Sequence, residues 1–143
     1  MFSEQIQRLI KNIQKPDNPT KYDLILEGGA FNGAYEYGVC YFLKELEKND
    51  FIQIERVSGT SIGSSIGLLL LTNKLDRFYE FYYKIKEHWS NDLNFKLYKK
   101  FIEDIVNNYD SGSDSEDNLL ELVNNRLFIT YYNCDTKEQI CKS

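Results

Sequence analysis

The sequence predicts an α/β fold built on a mainly parallel sheet. Two strand-like runs, residues 22–26 and 52–57, are each followed by a helix-like run, and both junctions are rich in glycine. Strand, helix, strand, helix in that order implies parallel strands joined by right-handed crossovers. With 143 residues, 42% of them hydrophobic and 27% charged, the chain suits one globular domain that buries a sizeable core.

Each element follows from local pattern. Phe2, Ile6, Ile10 and Ile13 fall at helical spacing, so residues 1–14 read as a docking helix, ended by a run with Pro16 and Pro19. Residues 1–21 are thus an N-terminal helix and linker, and residues 22–143 the α/β domain. The first strand leads into Gly28-Gly29-Ala30-Phe31-Asn32-Gly33 and a helix over about 34–48. On that helix Glu36, Lys44 and Glu47 share one side, while Tyr37, Val39, Tyr41, Phe42, Leu43 and Leu46 make a wide apolar face expected to pack on the sheet.

The second strand runs into Val57-Ser58-Gly59-Thr60-Ser61-Ile62-Gly63, and the helix over 62–71 behind it is apolar nearly all round. Phe78, Tyr82, Ile85 and Trp89, then Leu93, Leu97, Phe101, Ile105 and Tyr109, mark two aromatic helices broken near Ser90-Asn91. Residues 110–115 are a polar loop, 117–125 a short helix capped by Ser115 or Asp114, and 127–132 a third strand rich in aromatic and branched residues.

Composition excludes several functions. A formal charge of −5 and a pI near 4.9 are wrong for a non-specific nucleic-acid binder, which needs a basic surface to displace counterions. Cys40, Cys134 and Cys141 show no C-x-x-C spacing, and the N-terminus lacks a signal-peptide pattern, so an intracellular, cytoplasmic chain with reduced thiols is expected. The longest strongly apolar stretch is far shorter than the roughly 20 residues that span a bilayer.

The chemistry centres on Gly59-Thr60-Ser61-Ile62-Gly63, a Gly-x-Ser-x-Gly between strand and helix. Such a turn holds a serine hydroxyl outward, and its glycines leave room for close backbone. The first glycine run fits a dinucleotide fingerprint except at Ala30, where a methyl replaces the glycine that faces a pyrophosphate; Glu55 would be its ribose ligand. Its other use is an oxyanion hole, with successive backbone N–H groups aimed at a developing negative charge. Parallel neighbouring strands would bring both loops to one end of the sheet, so the two motifs explain each other.

Over Leu24-Ile25-Leu26-Glu27-Gly28-Gly29-Ala30-Phe31-Asn32-Gly33-Ala34-Tyr35-Glu36-Tyr37-Gly38-Val39, and again at Gly59-Thr60-Ser61-Ile62-Gly63, the chain resembles the patatin-like phospholipase family. The resemblance implies a three-layer α/β/α domain that hydrolyses acyl esters of phospholipids or other lipids without cofactor or metal. It matches Ser61 to the nucleophile, Gly28, Gly29 and Gly33 to the oxyanion loop, with Ala30 still able to offer its N–H, and Gly59 and Gly63 to the nucleophile elbow. Residues 126–136 look like a further core strand and turn. The partners implied are a lipid ester and, through the aromatic, lysine-rich segment 78–101 acting as a cap, a peripheral membrane contact; no nucleic acid is expected.

The chain departs from the family pattern in two places. Ala30 and Asn32 stand where the loop usually carries a third glycine and a cation, which lowers the positive potential near an oxyanion or phosphate. No Asp-Gly dipeptide, the family's source of the catalytic base, occurs anywhere. Of the remaining candidates, His88 lies on an aromatic helix, and Asp104, Asp110, Asp114, Asp117 and Asp135 qualify by type alone, with Asp135 reading first as the cap of a hairpin turn. The expectation is a C-terminally truncated or degenerate member, its sheet incomplete at the C-terminus and the isolated chain prone to self-association. A non-catalytic lipid-binding or interaction module on the same fold is the alternative, followed by a nucleotide-binding domain.

Overall fold

The computed structural model describes residues 2–29, 32–88, 95–107 and 119–143. In chain order these form α1 (Phe2–Lys11), β1 (Thr20–Leu26), α2 (Gly33–Lys48), β2 (Ile52–Thr60), α3 (Ile62–Leu71), α4 (Asp76–His88), α5 (Phe95–Asn107), α6 (Leu119–Val123), β3 (Leu127–Asn133) and β4 (Glu138–Lys142). One sheet has the order β1-β2-β3-β4, its first two pairings parallel and the last antiparallel. The expected α/β fold with a mainly parallel sheet is therefore present.

Both crossovers advance the strand order in the same direction, so right-handedness places their helices on one face. Strand alternation agrees: Leu24 and Leu26 join the core, while Ile25 between them is 82% exposed on the opposite face, beside the solvent-exposed Arg56–Asp23 pair. Of the three layers expected, the described residues build two. The core lies between this sheet and α2 and α3, with Cys40, Ile54, Val57, Ile66, Leu69 and Leu70 almost wholly buried. The N-terminal helix belongs to it through Ile6 and Ile10, and Gln7 donates from Nε2 to Glu45 of α2 at 3.0 Å.

Helix α3 reads as apolar on all sides because it is enclosed on all sides. It lies so close to the sheet that a methyl group at Gly67 would stand 2.9 Å from Cγ1 of Val57, and α2, α4 and α6 pack around the rest of it. Helix α2 departs from expectation. Its polar side, not only its apolar one, is turned inward, and Val39 is 57% exposed. The cause is backbone hydrogen bonding: β3 pairs with β2 only from Val57 onward, so upstream the N–H of Ile54 donates to Oε1 of Glu47 at 2.9 Å. The carbonyls of Ile54 and Glu55 accept from the Arg126 guanidinium at 2.9 and 3.1 Å. Strand groups left without a neighbouring strand find such partners.

The second strand is longer than expected and a further strand is present. Strand β2 continues through Thr60, because Gly59 and Thr60 pair with Ile129 and Thr130 and the Thr60 hydroxyl donates to the Thr130 carbonyl at 3.1 Å. A fourth strand follows the anticipated hairpin turn, whose cap is Asn133 and not Asp135: Asn133 Oδ1 accepts the N–H of Asp135 at 2.9 Å and of Thr136 at 3.3 Å. Helices α4 and α5 are the two aromatic helices foreseen. The break near Ser90-Asn91, together with Trp89, Leu93, Tyr109, the polar loop 110–115 and the Ser115 or Asp114 cap, lies outside the described residues. Among those described, no helix is long and apolar enough to cross a membrane.

Candidate active site

The parallel register sets Leu26 beside Gly59, so the segment after β1 and the turn after β2 emerge together at the carboxyl end of the sheet. Ser61 occupies that turn, exposed, with φ 52° and ψ −125°, a conformation outside the wells that non-glycine residues favour. It stands at the N-cap of α3, yet its hydroxyl makes no capping hydrogen bond and is left available, next to the positive end of the helix dipole.

Three glycines make this geometry possible. A methyl group at Gly59 would stand 2.6 Å from the backbone of Gly63 and Ser64, and one at Gly63 would stand 2.6 Å from the carbonyl oxygen of Leu26 and 2.7 Å from that of Glu27. A methyl group at Gly28 would lie 3.3 Å from Cβ of Ser61. The start of the glycine loop and the serine turn are therefore in direct apposition, as the paired motifs imply. Gly29, with φ 144°, lies under the side chain of Asn32, whose N–H donates to the Gly29 carbonyl at 2.9 Å. Gly33 begins α2 and lies against Ile62 of α3, where a methyl group would stand 2.6 Å from Cγ1. Ala30 lies outside the described residues.

The sequence did not single out two further groups at this site. Glu36, in the first turn of α2, accepts the N–H of Glu27 on Oε1 at 2.7 Å and so fixes the entry to the glycine loop. Burial raises its pKa, the bond from Glu27 working the other way, and its Oε2 is buried with no partner among the described residues. A carboxylate in the first turn after a glycine loop was the available signal. The other is Tyr98 of α5, whose hydroxyl pairs with that of Ser65 and donates to the Ser61 carbonyl at 3.5 Å. No sequence pattern distinguishes this tyrosine from its aromatic neighbours.

The carboxylates considered as a base are placed elsewhere or not described. Asp104 accepts from Arg77 across α4 and α5 at 2.8 Å. Asp135 is exposed in the β3–β4 turn. Because Thr130 pairs with Thr60, β3 runs three residues past the level of the elbow, about 10 Å, before that turn begins. Asp110, Asp114 and Asp117, and the side chain of His88, lie outside the described residues. Glu55, the ribose ligand of the nucleotide reading, sits within β2 in an ion pair with Lys21, not at the carboxyl end of the strand. No group of three His, Cys, Asp or Glu side chains among the described residues is placed to hold a metal ion. A cavity of about 610 Å³ lies at the far ends of α2 and α3, lined by Tyr41, Lys44, Lys48, Asn73 and Asp76, away from Ser61.

Cys40 is a buried residue of α2, and burial, with Glu36 adding to it, pushes its thiol up to about 12. In the folded chain at pH 8, iodoacetamide is expected to alkylate the exposed Cys134 and Cys141 while Cys40 reacts only on unfolding, as peptide mass mapping would read. The same shift has a sign. Above pH 9 the unfolded chain releases a proton that the folded one retains, so this contribution to stability declines as pH rises from about 9 to about 12. Fast alkylation of Cys40 in native protein would contradict the packing around it.

A family model described as patatin-like phospholipase matches residues 24–133 of the chain. Comparison with curated proteins and with solved structures finds no match.

Proposed function

Because the chain belongs to the patatin-like phospholipase family, we propose that it hydrolyses acyl esters of lipids, with Ser61 as nucleophile and backbone N–H groups of the Gly28–Gly33 loop as oxyanion donors. Family membership supports lipid hydrolysis in general terms. The observation that carries the finer reading is the exposed Ser61 at φ 52°, with its hydroxyl uncapped and Gly28 packed against it. Ser61 Oγ forms a bond to the ester carbonyl carbon as its proton passes to a base. The carbonyl oxygen takes the charge within reach of the loop amides, and the adduct collapses as the base passes its proton to the departing alcohol. Water, giving a proton to the same base, then attacks the acyl-serine, and the carboxylic acid leaves as the proton returns to Ser61 Oγ.

The substrate is met at a membrane surface without insertion. Tyr35 and Val39, one turn apart on α2 beside the loop, and Tyr79 and Tyr83 on α4 expose apolar area suited to such a contact. Unpaired, exposed Cys134 and Cys141 support a reducing, cytoplasmic setting. The second reading, a lipid-binding module without turnover, is favoured by one observation, the absence of any Asp-Gly dipeptide.

A fluorophosphonate probe separates them, since attack by an activated serine forms an O–P bond and expels fluoride. Labelling followed by peptide mapping is expected to place one adduct on Ser61. Folded protein that binds phosphatidylcholine vesicles yet carries no adduct would establish the module instead.

A further inference from the structure

The elbow has an external support that the motif does not contain. Ser61 holds an uncommon backbone conformation at the N-cap of α3, and the N–H of Ser64 donates to its carbonyl at 3.1 Å. The hydroxyl of Tyr98 also donates to that carbonyl, at 3.5 Å. A carbonyl only accepts, so in its contact with Ser61 the phenol is the donor, and the hydroxyl of Ser65 can then donate to the phenol oxygen. The result is a directed chain, Ser65 O–H to Tyr98 O–H to Ser61 C=O, in which each bond polarises the next. Ser65 is itself 4% exposed and one helical turn past the elbow, so the chain is anchored in the core.

Tyr98 is held there by its ring as well as its hydroxyl. The ring lies 5.6 Å from that of the buried Phe81, which stacks on Phe101 at 4.0 Å, and Phe78 of the same helix stacks on Tyr37 of α2 at 5.0 Å. Aromatic packing thus fixes α5 relative to α4, and α4 relative to α2, independently of the hydroxyl.

Resting on the reading of Ser61 as nucleophile, we infer that Tyr98 is a positioning residue: its phenol, bridging the Ser61 carbonyl and the Ser65 hydroxyl, holds the nucleophile turn in its reactive conformation. Tyr98 touches no reacting atom, so its loss lowers the rate of attack and leaves probe binding unchanged.

Tyr98→Phe keeps the ring contact with Phe81 and removes only the hydroxyl, and Ser65→Ala breaks the same chain from its other end. Each is expected to lower the maximal rate of fluorophosphonate labelling about tenfold with the half-saturating probe concentration unaltered. The double variant is expected to fall no further. Amide hydrogen exchange supplies a readout independent of activity: the Ser64 N–H is expected to exchange several-fold faster in Tyr98→Phe while the α5 amides exchange as before. If the unsubstituted chain takes no label while Ser64 exchange rises in Tyr98→Phe, the nucleophile reading fails and the support of the turn by Tyr98 stands. If Ser61→Ala alone abolishes labelling, the inference is overturned by any of three results in Tyr98→Phe: an unchanged labelling rate, unchanged Ser64 exchange, or a loss confined to half-saturation.

Discussion

Ser61→Ala is expected to reduce hydrolysis of a short-chain nitrophenyl ester by on the order of 10³-fold or more, with stability within about 0.5 kcal/mol of the parent chain. The two halves of this expectation come from different features. On the proposed reading, loss of activity follows because Ser61 is the group that forms the acyl intermediate, and what would remain is catalysis by oriented amides alone. Preserved stability follows because the residue is exposed, its hydroxyl caps nothing, and alanine at φ 52° has the same backbone strain as serine. Rates and a thermal melt on the same preparation check both. Activity within tenfold of the parent would show that hydrolysis arises elsewhere on the chain.

Gly63→Ala carries the larger structural effect, and inactivity in it would come by another route. Its added methyl group would stand 2.6 Å from the Leu26 carbonyl oxygen and 2.8 Å from its carbon, and these are backbone atoms of a strand already paired along its length. Relief requires α3 to lift from the sheet, although Ile66, Leu69 and Leu70 of that helix are the best-buried apolar side chains near it. A loss of at least ~3 kcal/mol is expected, and a midpoint lowered by on the order of 10 °C. Gly38→Ala is the control. A methyl group there meets nothing within 4 Å, so on α2 it is expected to stabilise by about 1 kcal/mol through helix propensity. If both substitutions melt alike, the close approach of α3 to β1 is not what sets stability.

The legible parts were those whose cause is local. Helix α3 begins and ends at the residues its composition marks, because enclosure from every side leaves a simple apolar run. The serine turn was legible because close backbone demands glycine at fixed spacing, and the same demand made the glycine loop visible. Features with a distant cause were not. Strand β2 reaches Thr60 only because residues 129 and 130, some seventy positions later, pair with it. Amphipathicity misplaced Glu36 and Glu47 at the surface, since it counts side-chain polarity and takes no account of strand N–H groups that need an acceptor. Tyr98 was invisible for a similar reason: its contact with Ser61 depends on how three aromatic helices stack.

The shared wall between the segment after β1 and the turn after β2 also bears on how such a centre could be inherited or transplanted. Gly63 touches the carbonyls of Leu26 and Glu27, and Gly28 touches Ser61, so neither loop has a shape of its own without the other. Grafting the pentapeptide around the serine onto a foreign scaffold would carry across only half of a mutually moulded pair. A side chain at position 28 would press on the serine turn and one at position 63 on the segment after β1, so a change in either loop is felt by the other.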